Sequence, residues 1–120
     1  MDKTKKSQSF KDLIVWKKSI ELSLKMYEIT KKLPIEEKFG LVSQMRRCSI
    51  SVPSNIAEGS KRGSKKDFIQ FLRIANGSAA ELETQMIIAK RLYPNLELDE
   101  SLNNLLEIQK MLFMFIKKIQ

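Results

Sequence analysis

A single spacing constrains this chain more than any other feature. Between residues 65 and 93, Phe68, Leu72, Ala75, Ala79, Leu82, Met86, Ala89 and Tyr93 recur at alternating steps of four and three. A helix that buries one stripe has this spacing. A strand cannot use it, because its side chains alternate with a period of two. Ser64 with Asp67 three residues on predicts a capping box at its start, and Pro94 ends it. Three other segments share helical spacing, and none alternates. The first spans residues 12–32, with Asp12 as predicted N-cap and Pro34 as stop. One stripe there is Leu13, Trp16, Ile20, Leu24 and Tyr27; beside it run Leu22, Met26, Ile29 and Leu33. The second spans 36–59 on Leu41, Met45, Cys48, Val52 and Ile56, with Gly59 as the predicted terminating glycine. The fourth follows PNLELD, takes Asp99 as N-cap, and carries Leu102, Leu105, Gln109, Leu112, Ile116 and Ile119, widened by Ile108, Met111 and Phe115.

Four such helices on short connections predict an all-α fold, an up-down-up-down antiparallel four-helix bundle. Residues 1–120 form one domain in this reading, and residues 1–9 a basic tail with Lys3, Lys5 and Lys6. The first and fourth helices carry more apolar surface than one bundle core needs, which predicts a homo-oligomer. In the third helix the small run ANGSAA lets a neighbour approach closely, at a cost in helix propensity at Gly77.

The stretch RRCSISVPSNIAEGSKR, residues 46–62, interrupts this regularity. Pro53 has no N–H, so the carbonyl of Ser49 loses its helical partner and the second helix should kink. Nearby hydroxyls or the Asn55 amide could recapture that carbonyl. Gln44, Cys48, Ser51, Asn55 and Glu58 form a polar stripe that would meet Asn76, Ser78, Glu81 and Glu83 of the third helix. A structural polar network of Gln44, Ser51, Asn55, Glu58, Glu81 and Glu83 is one reading, with Arg46 or Arg47 neutralising any buried carboxylate. A surface for nucleic acid or a partner is the second. Catalysis by a serine with a lysine or glutamate is the third, and no recognisable geometry places a base for it.

Charge bears on that choice. With 22 basic and 14 acidic side chains the formal charge is +8, which suits a polyanion such as nucleic acid or an acidic protein surface. Arg46, Arg47, Lys61, Arg62, Lys65 and Lys66 cluster in sequence with Glu58 as the one acid among them. The aromatics nearby, Phe68 and Phe71, belong to the core pattern, so binding should follow backbone charge or RNA shape. Chemistry has little to work with. The chain has no histidine, one cysteine and four glycines, and no phosphate-cradling glycine loop. No enzyme activity, metal or cofactor is expected. No apolar run approaches the ~20 residues of a membrane span, and charges follow the N-terminus too closely for a signal peptide. The lone Cys48 agrees with a reducing compartment, and the cytoplasm is the expected location.

Three blocks carry a family resemblance: FKDLIVWKKSIEL, LVSQMRRCSISVPSNIAEGSKR and FLRIANGSAAELETQ. Together they resemble the four-helix-bundle family encoded in intervening sequences of 23S ribosomal RNA genes, with Cys48 and Ile50 where that family usually has alanine or valine. The resemblance implies an up-down bundle assembled as a homopentameric barrel. It further implies similarity to accessory proteins of diversity-generating retroelements, which bind nucleic acid and a reverse transcriptase. A protein-interaction scaffold docking on such a partner is therefore the alternative to direct nucleic-acid binding.

Overall fold

The computed structural model describes residues 9–120, and Lys3, Lys5 and Lys6 of the predicted tail lie outside the described residues. Four α-helices follow one another: α1 (Ile14–Thr30), α2 (Ser43–Ser60), α3 (Lys65–Leu92) and α4 (Asp99–Ile119). Each packs against its neighbours in sequence, and α4 closes the ring against α1. The result is an up-down-up-down bundle of 52 × 25 × 23 Å.

The seam of α3 is buried along its length: Leu72, Ala75, Ala79, Leu82, Met86 and Ala89 are all buried. Met45, Val52 and Ile56 of α2, Met26 of α1, and Leu105, Ile108 and Leu112 of α4 meet it with no exposed surface. Each such aliphatic side chain stabilises the fold by roughly 1.5–3 kcal/mol relative to exposure. Of the two stripes on α1, the one through Leu22, Met26 and Ile29 faces the core. The other runs along the flank: Leu13 and Trp16 are partly buried against the core, Ile20 is partly buried, and Leu24 is 62% and Tyr27 40% exposed. On α4 the predicted stripe faces inward, and Phe113 and Met114, outside it, are more than half exposed.

Element ends differ from the sequence reading by specific contacts. Asp12 closes a 3₁₀ turn, Phe10–Asp12, whose N-cap is Ser9; α1 begins after Leu13 without a side-chain cap. Asp99 is the first helical residue of α4 and not its cap. Between α1 and α2 lie a 3₁₀ turn, Ile35–Glu37, and a π-helical turn, Lys38–Val42, fastened where the Tyr93 hydroxyl donates to Glu37 Oε2 at 2.7 Å. Gly59 does not end α2. It is buried inside the helix, where an added Cβ would lie 2.6 Å from the Cβ of Phe71. The turn glycine is Gly63, at φ 87°, a conformation side-chain-bearing residues rarely adopt. The α3 capping residue is as predicted, with the Asp67 N–H donating to Ser64 Oγ at 3.0 Å.

Candidate nucleic-acid interface

Antiparallel packing gives the bundle two poles. At one, the end of α1 meets the start of α2 and the end of α3. At the other lie the start of α1, the α2–α3 turn and the end of α4; Ile119 shares a cleft there with Gly59, Gly63, Ser64, Lys65 and Phe68. This geometry divides the six basic residues that cluster in sequence. Arg46 and Arg47 are the fourth and fifth residues of α2, and Lys61 follows its last, so the helix holds the two groups roughly 20 Å apart at 1.5 Å per residue.

The two arginines at the start of α2 have different fates. Arg46 is half-buried. Its Nε donates to Thr30 Oγ1 at 2.9 Å and its Nη2 to the Tyr27 carbonyl at 3.4 Å, while its guanidinium lies 4.4 Å from the Tyr27 ring centroid. A cation there also meets the partial negative charge at the end of α1. Arg46 is thus a clip between α1 and α2. Arg47 is exposed.

At the opposite pole Lys61, Lys65 and Lys66 are exposed, and none is ion-paired with another described residue. Arg62 is engaged: its Nε and Nη2 donate to Glu58 Oε2 at 3.0 and 2.7 Å, and its guanidinium lies 4.8 Å from the Phe71 ring centroid. The last turn of α4 brings Lys117 and Lys118 to the same pole, which the sequence reading missed. The topology carried that signal, since an up-down bundle returns the end of its fourth helix to the turn between its second and third. Lys110, Lys117 and Lys118 also rim an open apolar groove of about 1070 Å³ between α1 and α4, floored by Ile14, Met111, Phe113 and Met114.

The polar stripe of α2 holds only in its middle. Ser51 Oγ and Ser78 Oγ of α3 are 2.8 Å apart, and Asn55 Nδ2 donates to the Ser51 carbonyl and hydroxyl at 2.8 and 2.9 Å. The Ser49 carbonyl is recaptured from α1 by the hydroxyl of Ser23 at 2.8 Å, so the predicted donor type is present and the Asn55 amide serves another carbonyl. Gln44 is exposed. Glu58 turns away from α3 to Arg62, and its side chain is 51% exposed. The ends stray because a straight helix drifts ~20° per heptad relative to a 3.5-residue repeat. Glu81 and Glu83, two residues apart, cannot share a face. Glu81 is exposed and accepts a weak thiol contact from Cys48 at 3.9 Å, whereas Glu83 accepts from Gln109 Nε2 of α4 at 3.0 Å. Among the described residues, neither Arg46 nor Arg47 pairs with a carboxylate.

Cys48 itself is buried, with Gln85 Nε2 donating to its sulfur at 3.3 Å. Burial pushes its thiol above the ordinary 9.0; the Gln85 hydrogen bond opposes the rise and the Glu81 charge adds to it. Gln85 Oε1 is buried without a hydrogen-bond partner. Among the described residues, no group of three or more His, Cys, Asp or Glu is placed to hold a metal ion, and no helix is long and apolar enough to cross a membrane.

The sequence profile of the 23S rRNA-intervening sequence protein family matches residues 11–114, nearly the whole chain. The chain belongs to that family. Among solved structures it is similar to a protein of unknown function from the S23 ribosomal protein family of Bacteroides thetaiotaomicron. The two are 28% identical and superpose with a TM-score of 0.77, over 87% of this chain and 99% of that one. Curated protein sequences give no match. The matched residues span the blocks around Pro53 and in α3, and the superposition shows that the solved structure shares this fold.

Proposed function

We propose that the protein is a non-catalytic, self-assembling RNA-binding bundle that meets phosphates with its basic pole. One observation carries this reading: the α2–α3 turn, the first turn of α3 and the last turn of α4 gather Lys61, Lys65, Lys66, Lys117 and Lys118 at one end. All five are exposed, and none is ion-paired with another described residue. Lys65 and Lys66 lie in the first turn of α3, whose partial positive charge disfavours cations there by about 0.3–1 kcal/mol each, whereas Lys61 caps the end of α2. A polyanion would offset that cost. No exposed aromatic flanks the α2–α3 turn, and the exposed Phe113 sits beneath Lys117 in the apolar α1–α4 groove, so contacts at the turn should follow backbone charge and RNA shape. The family's name sets the protein beside 23S rRNA, which makes that RNA the first polyanion to test.

Self-assembly would multiply such contacts. The outward apolar side chains of α1 and α4 supply a surface for it, and a five-membered ring would repeat the basic pole five times and add avidity.

Anisotropy of a labelled 23S rRNA hairpin, titrated at several salt concentrations, tests the reading. Three to five phosphate contacts per subunit predict a log–log salt slope of about −2 to −4. Replacing the five lysines by glutamine should remove most of that slope while leaving the helical circular dichroism unchanged. Wild type that binds no RNA at low salt would transfer the proposal to a protein-interaction scaffold.

A further inference from the structure

Among the described residues, two arginines of the basic regions have side-chain partners, and of these only Arg62 is held by a carboxylate. We propose that this contact is a latch: Glu58 holds the Arg62 guanidinium in the free protein, and an RNA phosphate displaces the carboxylate on binding. The inference rests on the RNA-binding reading above and adds competition within the same site.

The geometry suits exchange. Both donors of Arg62 reach a single oxygen, Oε2 of Glu58, at 3.0 and 2.7 Å, so the fork is not matched to both carboxylate oxygens. Its side chain is 48% exposed and that of Glu58 51% exposed, so a phosphate can reach the pair. Exposed ion pairs are weak and readily broken. A phosphate offers the fork two acceptor oxygens in bidentate geometry, which Arg recognises well. Beneath the guanidinium, the Phe71 ring at 4.8 Å gives the cation a resting place that does not depend on the carboxylate. Lys61, one residue before Arg62, and Lys65 and Lys66 beyond the turn are placed to draw phosphate to this position. Arg46 offers no such exchange, because its partners are a buried hydroxyl and a backbone carbonyl on α1.

A double-mutant cycle on the full chain tests the latch. RNA affinity is measured by anisotropy across a salt series for wild type, Glu58→Gln, Arg62→Gln and the double variant. Asp67→Asn serves as the control for removing one nearby negative charge. Glu58→Gln should tighten binding by up to about fivefold more than Asp67→Asn does, the size expected for releasing one exposed pair. Arg62→Gln should flatten the salt slope by about 0.7–0.9. In the Arg62→Gln background, Glu58→Gln should gain no more than the control. Should Arg62→Gln melt early, Arg62→Lys replaces it, keeping the cation while losing the fork, and should shrink the excess. A Glu58→Gln gain equal to the control, or one undiminished without Arg62, overturns the latch while RNA binding stands. No binding by wild type at low salt overturns both.

Discussion

The hydroxyl of Ser23 does what a backbone N–H would do if residue 53 were not proline. Its Oγ lies 2.8 Å from the Ser49 carbonyl oxygen and 3.0 Å from that of Ser19 in its own helix. Ser49 is buried, so Ser23→Ala leaves its carbonyl dry and unpaired. We expect a loss of about 1–3 kcal/mol in urea unfolding. Ser54→Ala, on the exposed face of α2, should not destabilise; an equal loss at the two sites would discard the role given to Ser23. Glu58→Ala, at a half-exposed pair, should cost no more than about 1 kcal/mol.

Cys48 makes a prediction in pH. Its folded thiol titrates above 9.0. Below that value both folded and unfolded chains keep the proton and stability is flat. As pH rises past it, the unfolded thiol ionises first, and stability falls until the folded thiol follows. The urea midpoint should therefore drop between about pH 8 and pH 10 by less in Cys48→Ser than in wild type. Equal drops would mean that the thiol contributes nothing.

At the scale of elements, two helical glycines have opposite meanings. Gly59 lets α2 and α3 approach: an added Cβ would meet Phe71 Cβ at 2.6 Å and Phe68 Cδ1 at 3.1 Å. Gly77, in the middle of α3, has nothing within 4 Å of an added Cβ. The small run ANGSAA allows close packing through Ala75, Ser78 and Ala79, which are buried, while Gly77 faces out. Gly59→Ala should thus destabilise by about 1–3 kcal/mol through overpacking. Gly77→Ala should stabilise by about 0.5–1 kcal/mol through helix propensity. Thermal melts of the two variants should move in opposite directions, and a shared direction would contradict the packing described for α2 and α3.

For the whole molecule, the question is what covers the outer surface of α1 and α4. Ile14 is 63%, Leu24 62%, Phe113 56% and Met114 57% exposed, and Ile14, Phe113 and Met114 share the α1–α4 groove. Light scattering at micromolar concentration should give a mass several times the 13.9 kDa of one chain, five times for the pentamer. Ile14→Glu with Phe113→Glu should reduce it to one chain without loss of helicity, since neither side chain is in the core. A wild-type monomer would remove the assembly from the proposal.

How much of this was legible beforehand follows from the range of each interaction. Helix type, number and inward faces are written in spacings of three and four along α3 and α4. A residue's neighbours within a helix are fixed by 3.6 residues per turn, whatever packs outside. The need for a donor at Ser49 was equally local, because it follows from Pro53 alone. Which donor fills it was not local, because Ser23 is 26 residues away and its position depends on the rotation of α1 against α2. The site shows the same division. Sequence proximity joined Arg46 and Arg47 to the turn, but a rigid helix separates them from it. Lys117 and Lys118, more than fifty residues further on, return to the turn because antiparallel helices bring distant chain ends together. Local periodicity therefore determined the elements and their buried stripes. Tertiary packing alone decided which cations share a pole and which are fastened to Tyr27, Thr30 and Glu58, because both depend on distances across helices that no spacing along one helix encodes.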